Sequence, residues 1–495
     1  MSVYLPAHFR ASDPVIRDRL AAQVIAAHPF ATLVSVRDGE PFITHCPVTL
    51  QADAAGAPVL EGHMARANPH WQAWQAGQDR VLVIFQGPQA YVSPTLYEHP
   101  ENVPTWNYAV SYTHLDVYKR QGQISTEQRM PTARLHPAGS TQPLPIGSPL
   151  DLAGLAVHDP LLDRTIDMAT FLDRRLFNDA LLVWHRGAVR HESYRNGIGP
   201  HDAHIVHSVS KTLTSMMVGI AQAQGRLSVS DPVGAYVPEL AGMPAWQGVT
   251  LQHVLDMAVG IATEEHYEDP ASMYWRYARA VGYYGPGDAP GIGCLAFVRE
   301  HLHQRVAEPG SLFNYASYLT NLLPLALSKV YQRPALELYQ QYLYARIGAQ
   351  ADCLFNLDPT GLPIVEGHAN LTLSDLARWA LLYLHDGRNL AGEQIVPQAF
   401  VQETLRPDAG RAAAFQRSEA AAVFPGAQYH NKTWLLDPAR QRYAMLGIHG
   451  QFAYFDRPAD LMIVGFGSFP EQTSPLMKAC LTRLWRTVTL ALGGD

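Results

Sequence analysis

The sequence of 495 residues predicts an α+β protein in which an antiparallel sheet packed by helices is preceded by a shorter all-β part. Strand-like runs enclose a helical middle between residues 151 and 495, and residues 1–110 combine short strand-like runs with turn dipeptides. The length exceeds one typical domain, while 47% hydrophobic and 16% charged residues are typical of globular proteins. We therefore expect a small antiparallel barrel over residues 1–110, a linker over residues 111–150 and an α+β domain over residues 151–495.

The N-terminal part predicts a helix followed by antiparallel strands. Residues 13–27 fit a short helix, and the dipeptides Asp38-Gly39 and Gly87-Pro88 mark turns. The predicted strands, rich in β-branched and aromatic residues, cover residues 31–36, 81–85 and 89–93.

Residues 110–121 fit neither neighbouring part. Their sequence, Val-Ser-Tyr-Thr-His-Leu-Asp-Val-Tyr-Lys-Arg-Gln, closely resembles a translated sequencing-adapter peptide found at the joints of misassembled reading frames. The alternative is a genuine linker. Residues 123–149 are rich in Pro, Ser, Thr and Gly, which is typical of a segment that is disordered or draped over a domain. Residues 111–150 are therefore expected to be an artefactual junction and a disordered linker.

The last part of the chain predicts a hairpin, a helical middle and a second group of strands. Strand-like runs on either side of Arg186-Gly187 are typical of a β-hairpin. Apolar residues at helical spacing predict helices over residues 251–259, 318–330, 335–347, 373–384 and 475–492. Strand-like runs return at residues 444–448, 452–455 and 461–465. Strands at both ends of a helical region predict one antiparallel sheet covered by helices.

Composition narrows the classes of partner. A net charge of -7 argues against a nucleic-acid-binding surface, and four isolated cysteines suggest neither a disulfide framework nor a metal site. The first residues lack a basic region followed by an apolar one, and no apolar run is long enough to span a membrane. We expect a cytoplasmic protein with a small-molecule substrate and no membrane partner; the sequence leaves the oligomeric state open.

The four residues from Ser208 to Lys211 begin a long apolar segment that ends near Gly225. A serine three residues ahead of a lysine places both side chains on one helical face, where the amine can take the hydroxyl proton. Five lysines occur among 37 basic residues, so a solvated cation would more often be arginine, which cannot act as a base. The pattern predicts a serine nucleophile with a lysine base; the alternative is a surface lysine one turn after a serine.

Two later segments carry residues suited to the same chemistry. Tyr315 follows a Pro-Gly turn, and a loop tyrosine whose pKa is lowered by nearby cations can shuttle a proton. Residues 447–451 read as part of a strand whose glycines allow a substrate to approach the backbone. One amide of that strand and the amide of Ser208 would form an oxyanion hole. The alternatives are a core tyrosine and, for His449, a packed strand histidine.

Three motifs, in order, closely resemble those of serine hydrolases with the class C β-lactamase fold, in the esterase and 6-aminohexanoate-dimer hydrolase branch. They are Ser-x-x-Lys at 208–211, Pro-Gly-x-x-Phe-x-Tyr-x-Ser at 309–317 and Gly-Ile-His-Gly-Gln at 447–451. The resemblance spans about residues 155–490. It implies a nucleophile (Ser208), a base (Lys211), a proton shuttle (Tyr315), oxyanion-hole amides (Ser208, Ile448) and a substrate pocket (Tyr267, Ser317, Gly447, His449).

Two departures from that family indicate the substrate class. β-Lactamases carry Lys-Thr-Gly on the strand where this chain has Met445-Leu446-Gly447, so the cation that meets the β-lactam carboxylate is missing. Ser317 also replaces the asparagine of the β-lactamase Tyr-x-Asn motif. The resemblance therefore implies a serine hydrolase, a carboxylesterase or amidase, that cleaves carboxylic esters or linear amides through an acyl-enzyme.

The first 110 residues resemble the N-terminal half of PaiB-like regulators, which are FMN-binding split barrels. The resembling stretches are residues 4–9, 28–33, 62–69, 85–88 and 104–108. The resemblance implies that His63, Arg66 and Asn68 would donate to a flavin phosphate; the alternative is ordinary turn and core residues. Since only about half of that family's domain is present, we expect little or no FMN binding, and no cofactor for the hydrolase. The competing function is an FMN-binding transcriptional regulator with an appended hydrolase.

Overall fold

The computed structural model describes residues 22, 24–37, 40–52, 58–62, 64, 68, 70, 81–92, 105–112, 130–267, 269, 271–283, 291–469 and 471–494. The chain divides into two compact units, Met1–Gly122 and Gln123–Asp495. Among the described residues, no helix is both long enough and apolar enough to cross a membrane.

The first unit contains a five-stranded antiparallel sheet in the order β3-β2-β1-β4-β5. In the second strand, Thr44, Cys46 and Val48 are buried while the residues between them are exposed, because successive side chains of a strand point to opposite faces. The strands are β1 (Phe30–Arg37), β2 (Glu40–Ala52), β3 (Pro58–Gly62), β4 (Leu82–Val92) and β5 (Thr105–Tyr112). The predicted all-β character of this part is confirmed. Of the helix predicted over residues 13–27, the structure describes residues 22 and 24–27, which are helical.

The second unit is built on a seven-stranded antiparallel sheet in the order β10-β9-β18-β17-β16-β15-β14, which confirms the predicted α+β fold. The central strands are buried on both faces, so they read as nearly continuous apolar runs. The strands of this sheet are β9 (Asn178–His185), β10 (Ala188–Tyr194), β14 (Gln428–His430), β15 (Thr433–Asp437), β16 (Arg442–Gly447), β17 (Gln451–Asp456) and β18 (Leu461–Gly467). Smaller pairings involve β6 (Thr132–Leu135), β7 (Ala156–Asp159), β8 (Arg164–Asp167), β11 (His204–Ile205), β12 (Cys353–Asn356) and β13 (Ala369–Leu371).

Helices cover both faces of this sheet. Val183 and Ile463 face one apolar cluster, and Leu182 and Val464, their neighbours in the same strands, face the other. The helices Met168–Arg174 and Pro475–Ala491 pack in the cluster of Val183 and Ile463. The helix Lys211–Ala223 packs in the cluster of Leu182 and Val464. The helices are α1 (Met168–Arg174), α2 (Lys211–Ala223), α3 (Leu251–Leu255), α4 (Met273–Val281), α5 (Cys294–His301), α6 (Leu322–Tyr331), α7 (Ala335–Tyr342), α8 (Leu373–Leu384), α9 (Gln398–Thr404), α10 (Ala409–Gln416), α11 (Ala420–Val423) and α12 (Pro475–Ala491).

Residues 130–150 differ from the disordered linker expected over residues 111–150. Strand β6 pairs with β12, and the backbone of Gln142 both donates to Gly348 O at 3.0 Å and accepts from Arg378 Nε at 2.8 Å. Leu135 is buried in the main apolar cluster. The proline-rich composition excludes a helix here, but partners distant in sequence satisfy the backbone and order the segment. Residues 113–129 lie outside the described part of the chain.

Two predicted helices end earlier than expected. The helix predicted over residues 251–259 ends at Leu255, because Met257 adopts a left-handed φ of 52° that no right-handed helix accommodates. The helix predicted over residues 335–347 ends at Tyr342. The first of these breaks turns the chain toward the segment that contains Asn314, whose N–H donates to Met257 O at 2.8 Å.

Candidate active site

Ser208 lies on a tight turn between β11 and α2. His207, with a φ of 45°, adopts a left-handed conformation that is uncommon for a non-glycine residue and bends the chain before the serine. The N–H of Val206 donates to Ala369 O at 2.9 Å, and the N–H of Ala369 donates to Ser210 Oγ at 3.0 Å. Strand β13 therefore fixes both sides of the turn.

Lys211 is fully buried and lies against Ser208. Its Nζ atom is 2.6 Å from Ser208 Oγ and donates to the carbonyl oxygen of Glu366 at 2.5 Å. Burial lowers the pKa of Lys211 from 10.5 to about 8, and the carboxylates of Glu265 and Glu366 oppose that shift. A substantial fraction of the amine is therefore neutral near pH 8 and able to accept a proton.

Tyr315 lies beside the same pair, in the loop before a 3-10 helix (Ser317–Asn321). Its ring stacks on Trp434 with centroids 5.7 Å apart, and Lys211 Nζ is 5.3 Å from its ring centroid. Burial and the nearby Glu265 carboxylate raise the pKa of Tyr315, although hydrogen bonds with the side chains of Ser208 and Ser317 oppose this. The condition attached to its proton-shuttle role, a pKa lowered by nearby cations, is not met, because burial and the Glu265 charge dominate. The phenol remains a proton donor at neutral pH.

Residues 447–451 were expected to be part of one strand. In the structure they form the turn that joins two strands. Gly447 ends β16, a 3-10 turn (Ile448–Gly450) follows, and Gln451 begins β17. A Cβ atom on Gly447 would lie 2.7 Å from Val206 O, so a side chain at this position would collide with the backbone that precedes Ser208. The requirement for glycine thus comes from close packing of the two segments that carry Ser208 and Ile448.

Met445 occupies the inner side of β16. Its side chain is 1% exposed, and its sulfur lies 3.5 Å from Thr212 Oγ1 in the helix of Lys211. The position at which β-lactamases carry a lysine therefore belongs to the apolar core in this chain.

Glu265 connects the predicted pocket residues Tyr267 and Ser317. Its carboxylate accepts from the backbone N–H of Ser317 at 2.6 Å and from Ser317 Oγ at 2.7 Å, and the Tyr267 hydroxyl donates to it. Burial, reinforced by Glu265, raises the pKa of Tyr267 well above its usual value. No role was predicted for Glu265 from the sequence; its spacing of two from Tyr267 was the available signal.

His449 packs against the end of the sheet. Its Nδ1 atom is 2.8 Å from the carbonyl oxygen of Phe469, and its ring centroid is 5.5 Å from that of His207. These contacts favour the packed-histidine alternative over a direct part in the reaction.

Glu366, whose backbone oxygen accepts from Lys211, carried no sequence signal at all.

Of the three residues expected to donate to a flavin phosphate, His63 and Arg66 lie outside the described residues. Asn68 is described, and its side-chain amide donates to Thr44 Oγ1 at 3.1 Å while its carbonyl oxygen accepts from the N–H of His70 at 3.0 Å. These contacts hold the first unit's own chain together.

Comparisons with known proteins agree with both parts of this description. The β-lactamase family model matches residues 163–471, and an FMN-binding domain model matches residues 3–133. The 6-aminohexanoate-dimer hydrolase of Paenarthrobacter ureafaciens is 32% identical over 314 residues, which cover 63% of this chain and 78% of that protein. The protease synthase and sporulation protein PAI 2 of Bacillus subtilis is 36% identical over 109 residues, which cover 21% of this chain and 48% of that protein.

A solved structure extends the likeness to the fold. A Bacillus anthracis protein assigned to the 6-aminohexanoate-dimer hydrolases superposes with a TM-score of 0.67 at 22% identity, covering 76% of this chain and 94% of that one. The fold, the β-lactamase family match and the similarity to the 6-aminohexanoate-dimer hydrolase define the class of the protein as a serine hydrolase. Because the family match covers more than half of the sequence, the chain belongs to the β-lactamase family.

Proposed function

We propose that this protein hydrolyses carboxylic esters or linear amides through an acyl-enzyme on Ser208. The observation that carries the proposal is the 2.6 Å contact between Ser208 Oγ and Lys211 Nζ, with the amine fully buried. Burial lowers the pKa of Lys211 to about 8, which brings a lysine into the range of a general base.

In the proposed reaction, neutral Lys211 accepts the Ser208 proton as Oγ bonds to the substrate carbonyl carbon. The amides of Ser208 and Ile448 donate to the oxyanion. When the tetrahedral species collapses, the scissile C–O or C–N bond breaks and Tyr315 O–H protonates the leaving group, regaining its proton from protonated Lys211. Water then attacks the acyl carbon and loses a proton to Lys211. The acyl C–Oγ bond breaks, Lys211 returns that proton to Ser208 Oγ, and the carboxylic acid leaves.

The substrate class rests on what surrounds the serine. Met445 places an apolar, buried side chain where β-lactamases carry the lysine that meets the β-lactam carboxylate, so binding of penicillins would lack that contact. The relative at 32% identity is named for hydrolysis of the 6-aminohexanoate dimer. Both observations favour esters and linear amides over β-lactams.

The direct test replaces the nucleophile. Ser208→Ala is expected to lower p-nitrophenyl butyrate hydrolysis at least about 10⁴-fold and to abolish labelling by a fluorophosphonate probe. Ser210→Ala is the matched control, because Ser210 is buried two residues away and its Oγ accepts a backbone N–H. Labelling of Ser208→Ala at the wild-type level would disprove the assignment.

A second candidate, a flavin-binding regulator with an appended hydrolase, is favoured by the match of residues 3–133 to an FMN-binding domain. The flavin absorbance of the purified chain measures FMN binding. We expect much less than one FMN per chain, because the part that resembles this family matches 48% of the length of the related PAI 2 protein. A stoichiometric flavin spectrum would favour the regulator. Resequencing genomic DNA across codons 105–125 would decide whether residues 110–121 belong to the natural chain.

A further inference from the structure

Glu366 is a buried acid that the proposed mechanism does not use, although its backbone contacts Lys211. It lies between β12 and β13 with 2% of its surface exposed, and its backbone oxygen accepts from Lys211 Nζ at 2.5 Å. An ionisable carboxyl group is therefore built into the residue that holds the amine in place.

The side chain of Glu366 is only partly satisfied. Its Oε1 atom accepts from the hydroxyl groups of Tyr277, at 3.0 Å, and Tyr283. Its Oε2 atom is buried and has no hydrogen-bond partner among the residues that the structure describes. Since a buried carboxylate oxygen without a donor is costly, the surroundings favour the protonated acid.

Asn321 fixes this acid relative to the amine. Its Nδ2 donates to the Tyr277 hydroxyl at 2.7 Å, and its Oδ1 accepts from the N–H groups of Val365, at 3.0 Å, and Glu366, at 3.3 Å. One amide side chain thus holds both the backbone of Glu366 and a tyrosine that binds its carboxyl group. The distance between the acid and Lys211 is set by the fold.

We propose that Glu366 is a positioning residue that titrates together with Lys211, so that its charge shifts the pH range in which the amine is neutral. The inference rests on the proposed function of Lys211 as the base. When Glu366 loses its proton, its negative charge raises the pKa of Lys211, which stays protonated. When Glu366 is protonated, Lys211 loses its proton more easily and can act as the base. The two groups thereby hold one proton between them over an extended pH range.

Other titratable groups also surround the pair, and the charge of Glu265 raises the pKa of Lys211 more than the charge of Glu366 does. Burial raises the pKa of Glu366 to about 8, close to that of Lys211, and each charge opposes the other's shift. Glu265 is the other carboxylate whose charge acts on both groups. Burial keeps the histidines near the amine neutral. The titratable groups facing the pair are Glu265, Tyr277, Tyr283, Tyr315, His207, His368 and Lys432.

The test measures the rate of fluorophosphonate labelling of Ser208 against pH in the full chain. Glu366→Gln keeps an oxygen for both tyrosines but removes the charge, so we expect the acid limb to move to lower pH by about one unit. Tyr283→Phe leaves the acid but removes one donor to its ionised form, and we expect a smaller shift in the same direction. The second variant keeps the test decisive if Glu366→Gln does not fold.

Asp358→Asn is the matched control, since Asp358 is also a buried acid of the loop between β12 and β13, where it accepts from the N–H groups of Cys294 and Thr360. It is expected to leave the acid limb in place, even if the loop is loosened. Variants of Glu366 and Tyr283 that label more slowly but keep the wild-type acid limb would overturn the inference and reduce Glu366 to a structural role. Absence of labelling in the wild-type chain would instead contradict the proposed function.

Discussion

Two buried lysines in neighbouring parts of the second unit have different surroundings. Lys211, at the start of α2, lies 2.6 Å from Ser208 Oγ, whereas Lys432, in the turn between β14 and β15, donates to Val254 O at 2.6 Å. Burial lowers the pKa of both amines, and the charge of Lys211 lowers that of Lys432 further. A lowered pKa alone therefore does not identify a base; the atom that faces the amine does.

The same contrast applies to two tyrosines of one aromatic cluster. Tyr315 and Tyr429 both contact Trp434, and burial raises the pKa of each. A hydrogen bond with Ser208 contributes to the pKa of Tyr315 but not to that of Tyr429. Each residue proposed to act in the reaction thus has a buried counterpart of the same type nearby, which serves as its control.

Replacing Lys211 or Lys432 in turn should give the largest difference in kcat/KM between two matched variants. Lys211→Met is expected to lower kcat/KM for p-nitrophenyl butyrate by about 10³- to 10⁴-fold, because the general base is lost. Lys432→Met should stay within about tenfold of wild type, since apolar replacement of a buried cation is often tolerated. The comparison fails if Lys432→Met is as inactive as Lys211→Met while its near-ultraviolet circular dichroism remains native.

Replacing Tyr315 or Tyr429 in turn should give the next largest difference, which is in kcat. Tyr315→Phe is expected to lower kcat by about 10²-fold, because the proton donor to the leaving group is lost while ring packing on Trp434 is kept. Tyr429→Phe should leave kcat nearly unchanged. Steady-state kinetics with esters of good and poor leaving groups checks this, and the deficit of Tyr315→Phe should grow as the leaving group becomes more basic. Equal deficits for all esters would contradict the assigned role.

The smallest expected effect concerns the pH dependence of stability. The folded state holds Lys211 with a pKa of about 8 against 10.5 for the exposed side chain, so between these values the unfolded chain binds more protons. The free energy of unfolding of wild type relative to Lys211→Met should therefore rise with pH across this window, by up to about 3 kcal/mol. Urea unfolding of both proteins at pH 8 and pH 10 measures the difference. A difference that stays constant would mean that Lys211 is charged in the folded protein.

Much of the second unit could be predicted from the sequence, because its signals are local. The run from Leu181 to Trp184 is apolar on both faces and became the buried strand β9. The spacing of Ser208 and Lys211 alone placed them on one face of a helical turn, and the structure brings them together. Such features depend only on residues a few positions apart.

What the sequence did not reveal depends on contacts between distant residues. The backbone oxygen of Glu366 meets Lys211 across 155 positions, and Arg378 orders Gln142 across 236. The direction of the pKa shift of Tyr315 follows from complete burial and from Glu265, neither of which a motif encodes. Composition and spacing therefore predicted which elements form and that Ser208 and Lys211 meet, but not that Glu265 and Glu366 lie near them.

The burial of α2 has a consequence for how the enzyme loses activity on heating. Every residue from Lys211 to Ala221 is buried, so the helix that carries the amine is also the centre of the larger apolar cluster. No partial opening can displace Lys211 without exposing that cluster, and its backbone amides should exchange with solvent only through global unfolding. Thermal inactivation and cooperative melting of the second unit should therefore coincide.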